Sequence, residues 1–384
     1  MEAIQEVNSA ERHEKRYQRR KVEREKRKTM RNTGYNFDNV CNFNALRKAF
    51  YVARKGVNWK ASVQNYGINV IENSIDLSDK LYAGKNISKG FVEFYLYERG
   101  KKRHIKSVHI SERVVQKSLC INGITPVISK SLIRDNAASQ KDKGTDFSRR
   151  ELREDLHEFY RRYDNNGYVL LGDSHAYFDS IDHKTVCENL HKWISNQKLI
   201  ELTMKFINAF DHGLGLGSEV CQILAVSFLN HVDHIIKDEL RCKWYGRYND
   251  DFYILCSTKE EAQRYLLRIQ REYAQIKLEL NDNKTQIVKL SHGFKWLQDR
   301  MYLTCTGKVI DKPGKKSISR NRKKLKKISS KLYNGELSYP DIVTFYASIT
   351  GSLKHKNAYY VRENMDILYN QLIIRRFKDE VHFT

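Results

Sequence analysis

The amino-acid sequence predicts an α+β fold. Three observations carry that expectation: apolar residues recur at helical spacing over several long stretches, short aromatic and β-branched runs lie between them, and one run, YVLLG, is apolar enough for a strand covered on both faces. With 384 residues and 40% hydrophobic content the chain can bury a sizeable core spread over two or three lobes.

Taken in order, residues 11–32 carry eleven Lys/Arg against four Glu and almost nothing apolar, which predicts a solvated, helical basic arm or a segment that orders on nucleic-acid phosphates. Residues 37–84 read as helices, with Leu46, Phe50 and Val52 followed by Val63, Tyr66, Ile68 and Ile71. FVEFYLYERGKKRHIKSVHI alternates as two strands around a basic turn, and SERVVQKSLCINGITPVI reads as one helix. In RELREDLHEFYRRY, Leu152, Leu156, Phe159, Tyr160 and Tyr163 form a face that should pack on a sheet. After the DNNG turn, YVLLG is a strand ending at Asp173. From Glu219 the stripe Val220, Ile223, Leu224, Phe228, Leu229, Val232, Ile235 and Ile236 predicts a long helix. WYGRY and FYILC are strands of a hairpin with Asn249, Asp250 and Asp251 at an exposed tip, and a helix runs from Lys259 to about Ile276. Beyond Gly307 the composition turns basic, with eleven Lys/Arg and one Asp in residues 308–331. Asn334-Gly335 then makes a turn before a helix bearing Ile342, Phe345, Tyr346 and Ile349. The expected segments are 1–36, 37–167, 168–306 and 307–384.

The 69 Lys+Arg against 46 Asp+Glu leave a net charge of +23, which favours a polyanionic partner, nucleic acid before membrane. Seven widely spaced cysteines without a CxxC fit reduced thiols, and neither an 18-residue apolar run nor a signal peptide is present. The expectation is a soluble cytoplasmic protein with no membrane partner.

Adjacent carboxylates repel, so Asp250 next to Asp251 calls for a reason. An isolated Asp-Asp pair fits an ordinary turn. If the strand ending at Asp173 adjoins the hairpin, however, three carboxylates meet at one point, and Mg²⁺ is the ligand that favours such crowding. Two ions about 3.5–4 Å apart suit an in-line displacement at phosphorus.

The order of blocks decides between these readings. A strand ending in DxxxYF (Asp173 to Phe178), the turn-helix GLGLGSEVCQ, YxDD (Tyr248 to Asp251) and LNDNKT follow one another as in the palm of the reverse transcriptases, which this chain resembles from about Phe91 to Leu297, with a helical thumb to about Asn357. The resemblance implies a right-hand polymerase fold: fingers within 37–167, a palm whose antiparallel sheet carries the YxDD hairpin, and a basic helical thumb. It implies RNA-directed DNA polymerase activity, with Asp173 and Asp250 as ligands of both Mg²⁺ ions (Mn²⁺ as a substitute), Asp251 supporting, and the Ser174 backbone carbonyl as a further ligand. Where related RNA polymerases place a second Asp, this sequence has Phe178 preceded by Tyr177, so the resemblance makes Tyr177 the gate that prefers deoxynucleotides. It places Gly217 beside the incoming base pair, Gln222 toward the template, Lys284 near the triphosphate, and Arg103 against template or triphosphate. Arg113 contacts nucleic acid or braces the fold, and Tyr248, Lys323, Lys324 and Lys327 face nucleic acid. Lys141 and Lys143 occupy a loop open to triphosphate or solvent.

The sequence also departs from the family. Gly215-Leu216-Gly217 stands for Pro-Gln-Gly, Cys221 for a Ser, and Trp296-Leu297-Gln298 for the Phe-Leu-Gly turn after the palm. His231, Asp233 and His234 read as helix surface, and Ser180, Asp182 and His183 are too close in sequence for a catalytic triad. The block details are most similar to the unknown-group, defence-associated bacterial enzymes, with diversity-generating retroelement and retron enzymes as neighbours. The expected partners are therefore a dedicated non-coding RNA template, a DNA product or primer and dNTPs, with an accessory protein or a second copy left open. No RNase H, integrase or protease unit is expected. Mutagenic copying with an accessory protein, an idle RNA-binding scaffold, and synthesis without a template or from a protein hydroxyl remain alternatives.

Overall fold

The structure, a computed structural model, describes residues 2–98 and 100–374. It opens on a long helix α1 (Glu2–Asn32) whose described side chains are almost all exposed. Among the described side chains it is fastened at its end: Asn32 Nδ2 donates to the Trp193 carbonyl at 2.9 Å, and Asn32 Oδ1 accepts from Ser195 N at 3.2 Å. Four short helices follow, α2 (Phe37–Cys41), α3 (Phe43–Ala53), α4 (Ala61–Ile68) and α5 (Val70–Tyr82), the first two started by Asn36 and Asn42 side-chain caps.

Strands β1 (Phe91–Glu98) and β2 (Lys101–Val108) form the expected antiparallel hairpin. The segment after it is not one helix but α6 (Ile110–Leu119), a π-helical turn, and α7 (Thr125–Ser129), because Pro126 supplies no amide to continue the ladder. Helix α8 (Thr145–Tyr163) buries Leu152, Leu156 and Phe159, while Tyr163 stays partly exposed. Next come β3 (Tyr168–Gly172), α9 (Tyr177–Ser180), α10 (His183–Trp193), α11 (Gln197–Ile207), α12 (Glu219–Phe228) and α13 (Asn230–His234). The single helix expected from Glu219 is broken between α12 and α13, where Leu229 leaves helical geometry with ψ 5°. The chain continues through β4 (Tyr245–Tyr248), β5 (Asp251–Cys256), α14 (Lys259–Gln275), β6 (Gln286–Lys289), β7 (Phe294–Trp296), β8 (Asp299–Leu303) and β9 (Val309–Pro313). It closes with α15 (Lys315–Tyr333), α16 (Tyr339–Lys354) and α17 (Tyr359–Tyr369).

A four-stranded antiparallel sheet, ordered β4-β5-β3-β6, organises the centre. Alternation along its strands feeds two cores. Leu170, Phe252 and Ile254 join the large core with α12 and α14, and Val169, Leu171, Tyr253 and Leu255 join a second core with α8 and the small sheet β7-β8-β9. Burial on both faces is why YVLLG lacks a polar alternation. Composition set a boundary at 307, but β9 pairs with β8 across it, so the break in packing falls at Gly314. From there α15–α17 enclose a third, separate core. The tail beyond residue 374, assigned from sequence to the same basic segment, lies outside the described residues.

Candidate active site

Register alone brings two of the acids together. Gly172 pairs with Phe252 in the β3–β5 ladder, and one step further along the strands Asp173 faces Asp251. Asp251 in turn pairs with Tyr248 across the hairpin, so its turn is the two residues Asn249-Asp250. Asn249 adopts the left-handed backbone this turn needs, with φ 55°. The tip is not the exposed one expected from sequence: Asp250 and Asp251 are half-buried and Asp173 is buried. The positive charge of Lys101, at the start of β2, slightly favours the ionised form of Asp250.

The segment Asn281–Thr285 closes the other flank of Asp173. Asn281 N donates to the Asp173 carbonyl at 2.8 Å, and Lys284 Nζ lies 2.6 Å from both Asp173 carboxylate oxygens. Ser174 sits opposite Leu280, and its neighbours make the bonds of that bridge, His175 N to Glu279 O at 2.9 Å and Asn281 N to Asp173 O at 2.8 Å. The Ser174 carbonyl therefore points away from Leu280, toward the hairpin side of the strand.

Crowding shows in the acidities. Burial, then the Asp250 and Asp173 charges, pushes the Asp251 carboxyl up to about 7. Burial, then Asp173, also raises Asp250. For Lys284, burial works against the ammonium, but Asp173, Asp251 and Asp250 outweigh it and raise its pKa. Among the described residues no three His, Cys, Asp or Glu side chains already stand as a set around one point, and Asp173 holds an ammonium instead. The donors fit a hard divalent cation nonetheless: they are carboxylate and carbonyl oxygens at neighbouring strand ends whose repulsion an added positive charge relieves.

Sequence reading missed what holds this hairpin. Arg247 and Asp233 are both fully buried: Arg247 Nε lies 2.7 Å from Asp233 Oδ1, its terminal nitrogens bond Asp233 Oδ2, the Val226 carbonyl at 2.9 Å and the Asn249 carbonyl at 2.6 Å, and Tyr245 donates to Asp233 Oδ1. Asp233 is thus no surface residue of its helix, whereas His231 is exposed. Burial disfavours the guanidinium charge, but Asp233 overrides it, so Arg247 stays charged and fixes the turn carrying Asp250. The available signal was a pair of opposite charges at positions whose apolar neighbours are all buried.

A family model, "Reverse transcriptase (RNA-dependent DNA polymerase)", matches residues 95–299, more than half of the chain and the whole of this site. The chain belongs to the reverse transcriptase family. It has the α+β polymerase fold of that family. Among solved structures, apo telomerase from Candida tropicalis truncated from its C-terminal domain is similar at 13% identity and TM-score 0.43, over 58% of this chain and 54% of that one. Telomerase from Candida albicans in complex with a TWJ fragment of telomeric RNA is similar at 9% identity and TM-score 0.45, over 79% of this chain and 65% of that one. The reverse transcriptase described here spans less than two thirds of either. No curated protein matches it in sequence.

Other expected residues of this reverse transcriptase fall as follows. Tyr177 is buried, its hydroxyl donates to the Ala225 carbonyl at 2.5 Å, and burial holds that hydroxyl protonated. Phe178, edge-on to it at 5.8 Å, is the half-exposed ring of the pair. Gly217 is exposed at φ 114°, and a Cβ there would meet the Lys106 carbonyl at 3.0 Å, so its backbone approaches the β1–β2 hairpin. Gln222 is exposed one turn into α12. Arg103 lies 3.4 Å from Glu98 across the hairpin, and Arg113 bonds the Ser107 hydroxyl at 3.3 Å, bracing β2 against α6. Lys143 is spent on the Arg134 and Asn136 carbonyls, whereas Lys141 is exposed. Lys323, Lys324 and Lys327 are exposed on α15, with Lys324 over the Phe345 ring at 4.6 Å. Asp182 caps α10 through Thr185 and His183 bonds the Gly213 carbonyl, which leaves no triad with Ser180. Among the described residues no helix is long and apolar enough to cross a membrane.

Proposed function

We propose that this reverse transcriptase extends a primer hydroxyl with deoxynucleotides on an RNA template, with Asp173, Asp250, Asp251 and the Ser174 carbonyl holding two magnesium ions, manganese substituting. The observation that supports it is the cross-strand approach of Asp173 and Asp251, where burial, then the Asp250 and Asp173 charges, pushes the Asp251 carboxyl up to about 7. Magnesium, when bound, supplies positive charge to the attacking and leaving oxygens of an in-line displacement.

The chain's own groups do the rest. Arg247, locked on Asp233, fixes the hairpin so that the carboxylates need no reorganisation when substrate arrives. Lys284, bonded to Asp173, and Lys101, on the edge of the β1–β2 hairpin, serve to meet a triphosphate. Phe178 crowds the sugar and disfavours a 2′-hydroxyl, and Gly217 with Gln222 lines the path of the base pair. Residues 37–167 serve as N-terminal helices and fingers, the segment from 168 as palm, and the basic helices from Lys315 as thumb. On the thumb, Lys323, Lys324 and Lys327 follow duplex phosphates with salt-dependent affinity.

The role we assign is copying of an associated non-coding RNA in bacterial antiphage defence, in the cytoplasm, from the likeness of the sequence blocks to defence-associated enzymes. The Leu216-Gly217 and Cys221-Gln222 spacing favours a second reading, mutagenic copying in a diversity-generating retroelement. Primer extension tests the chemistry. Purified protein with Mg²⁺, dNTPs and a primed RNA should give a product ladder that Asp250→Ala plus Asp251→Ala abolishes; a ladder surviving both substitutions refutes the assignment. Sequencing that cDNA separates the roles, since errors concentrated at template adenines support the second.

A further inference from the structure

The third core, built by Leu325, Ile342, Ile349, Leu353 and Met365 of α15–α17, is separate from both cores of the palm. The chain enters it from β9 through Gly314. A second junction lies between α16 and α17, and it is made of buried charge. Lys356 Nζ lies 2.6 and 2.7 Å from the two carboxylate oxygens of Asp299, and Arg149 Nε of α8 lies 2.7 Å from Asp299 Oδ2. Arg153, one turn along α8, reaches Asp311 Oδ2 at 3.4 Å. Asn357 N donates to the Asp311 carbonyl at 2.8 Å, and Asp311 N donates to Asn357 Oδ1 at 2.9 Å.

Asp299 and Asp311 are each only 2% exposed, and the β8–β9 register puts Asp311 opposite Met301, two residues from Asp299, so both acids share one face. Two carboxylates in so dry a place hold together only while cations from both sides remain. Lys356 is the cation that comes from the C-terminal helices. Next to this cluster the β7–β8 turn carries Leu297 and Gln298 at φ 48° and 95°, left-handed positions that side chains of this size occupy only when their surroundings enforce it. The Gln298 carbonyl lies 2.4 Å from where a Cβ on Gly314 would stand, so the strained turn abuts the entry to α15.

We propose that Asp299 and Lys356 are positioning residues: with Arg149, Arg153, Asp311 and Asn357 they form a clasp that fixes the C-terminal helical unit on the palm and thereby sets the grip on template-primer duplex. A charged clasp holds one geometry, because a slip of an ångström or two strands a buried carboxylate, whereas an apolar interface slides. The inference rests on α15–α17 being the duplex-gripping thumb. It asks nothing of Lys356 in the chemical step.

The test uses full-length Lys356→Met, Asp299→Asn and Lys356→Arg proteins. Duplex dissociation constants, product lengths in the presence of a trap, and single-nucleotide incorporation rates at saturating duplex are read for each. The first two variants should bind duplex about tenfold more weakly and give shorter products. Complexes that do form should incorporate within about twofold of the unmodified rate, and Lys356→Arg, which keeps a cation opposite Asp299, should lose less of the grip than Lys356→Met. A folded Lys356→Met protein with unchanged affinity and product length overturns the proposal. Amide hydrogen exchange on the unmodified protein decides the matter even if the variants do not fold or the protein copies no RNA. The Asp311 and Asn357 amides should exchange slowly and together; exchange at the rate of exposed amides overturns the clasp.

Discussion

Lys284 Nζ sits 2.6 Å from both carboxylate oxygens of Asp173, while register places Asp251 on the opposite flank of the same residue. The ammonium therefore offsets, in the protein without metal, part of the repulsion among three acids. Lys284→Met should lower the stability of the metal-free protein at pH 8 by about 1 kcal/mol, a modest figure because the lysine is half-exposed and screened. It should also weaken dNTP use. Urea unfolding with and without Mg²⁺ measures the first effect; no loss in the metal-free protein would show that Lys284 compensates nothing.

The raised Asp251 pKa fixes a pH dependence. Its folded pKa of about 7 lies above the ordinary carboxylate value of 3.8, so between these values the folded chain holds a proton that the unfolded chain has lost. Stability from this group is present below about pH 4 and is lost as pH rises toward 7. Metal must displace that proton, so Mg²⁺ affinity should climb through the same window. Asp251→Asn should remove the slope and stabilise the metal-free protein at pH 8 by on the order of 2 kcal/mol while ending catalysis. Thermal melts across pH 5 to 8 check it, and a parallel slope in the variant would place the titration elsewhere.

Arg247 and Asp233 should behave as a unit. Arg247→Leu alone leaves a fully buried carboxylate and should destabilise by about 3–5 kcal/mol, whereas Arg247→Leu with Asp233→Leu should recover part of that loss. A double-mutant cycle in urea gives the coupling. Strictly additive losses would mean that the pair does not hold the hairpin.

Two neighbouring rings should separate by function. Phe178→Val should let ribonucleotides in, raising rNTP incorporation about tenfold or more relative to dNTP. Tyr177→Phe should leave sugar choice unchanged and destabilise by about 1 kcal/mol through the lost bond to Ala225. Single-nucleotide incorporation with matched dNTP and rNTP reports both, and the reverse pattern would return the gate to Tyr177.

Much of the central sheet was legible because its strands are short apolar runs bounded by turn residues, and the meeting of Asp173 with the Asp250-Asp251 hairpin was legible because the order of these acids along the chain places them on neighbouring strand ends. What was not legible depends on three-dimensional context. Asp250 and Asp251 read as an exposed tip because nothing local announces that the fold half-buries them. Tyr177 and Phe178 are adjacent aromatics, and only the left-handed Ala176, φ 43°, which opens α9, settles which ring turns inward. Asp233 lies in a helical stretch with polar neighbours, and its partner stands on a strand that follows the break at Leu229. The clasp joins Arg149, Asp299 and Lys356, which are far apart in sequence, and no spacing rule connects them.

The most direct measurement is Mn²⁺ binding, followed by electron paramagnetic resonance, in a ternary complex of the protein with RNA template, dideoxy-terminated primer and dNTP. Two bound ions are predicted for the unmodified protein, with Asp173→Asn and Asp250→Asn each losing tight binding while the folded protein still binds duplex. Equal Mn²⁺ stoichiometry and affinity in those variants would contradict the claim that these strand-end carboxylates hold the catalytic metals.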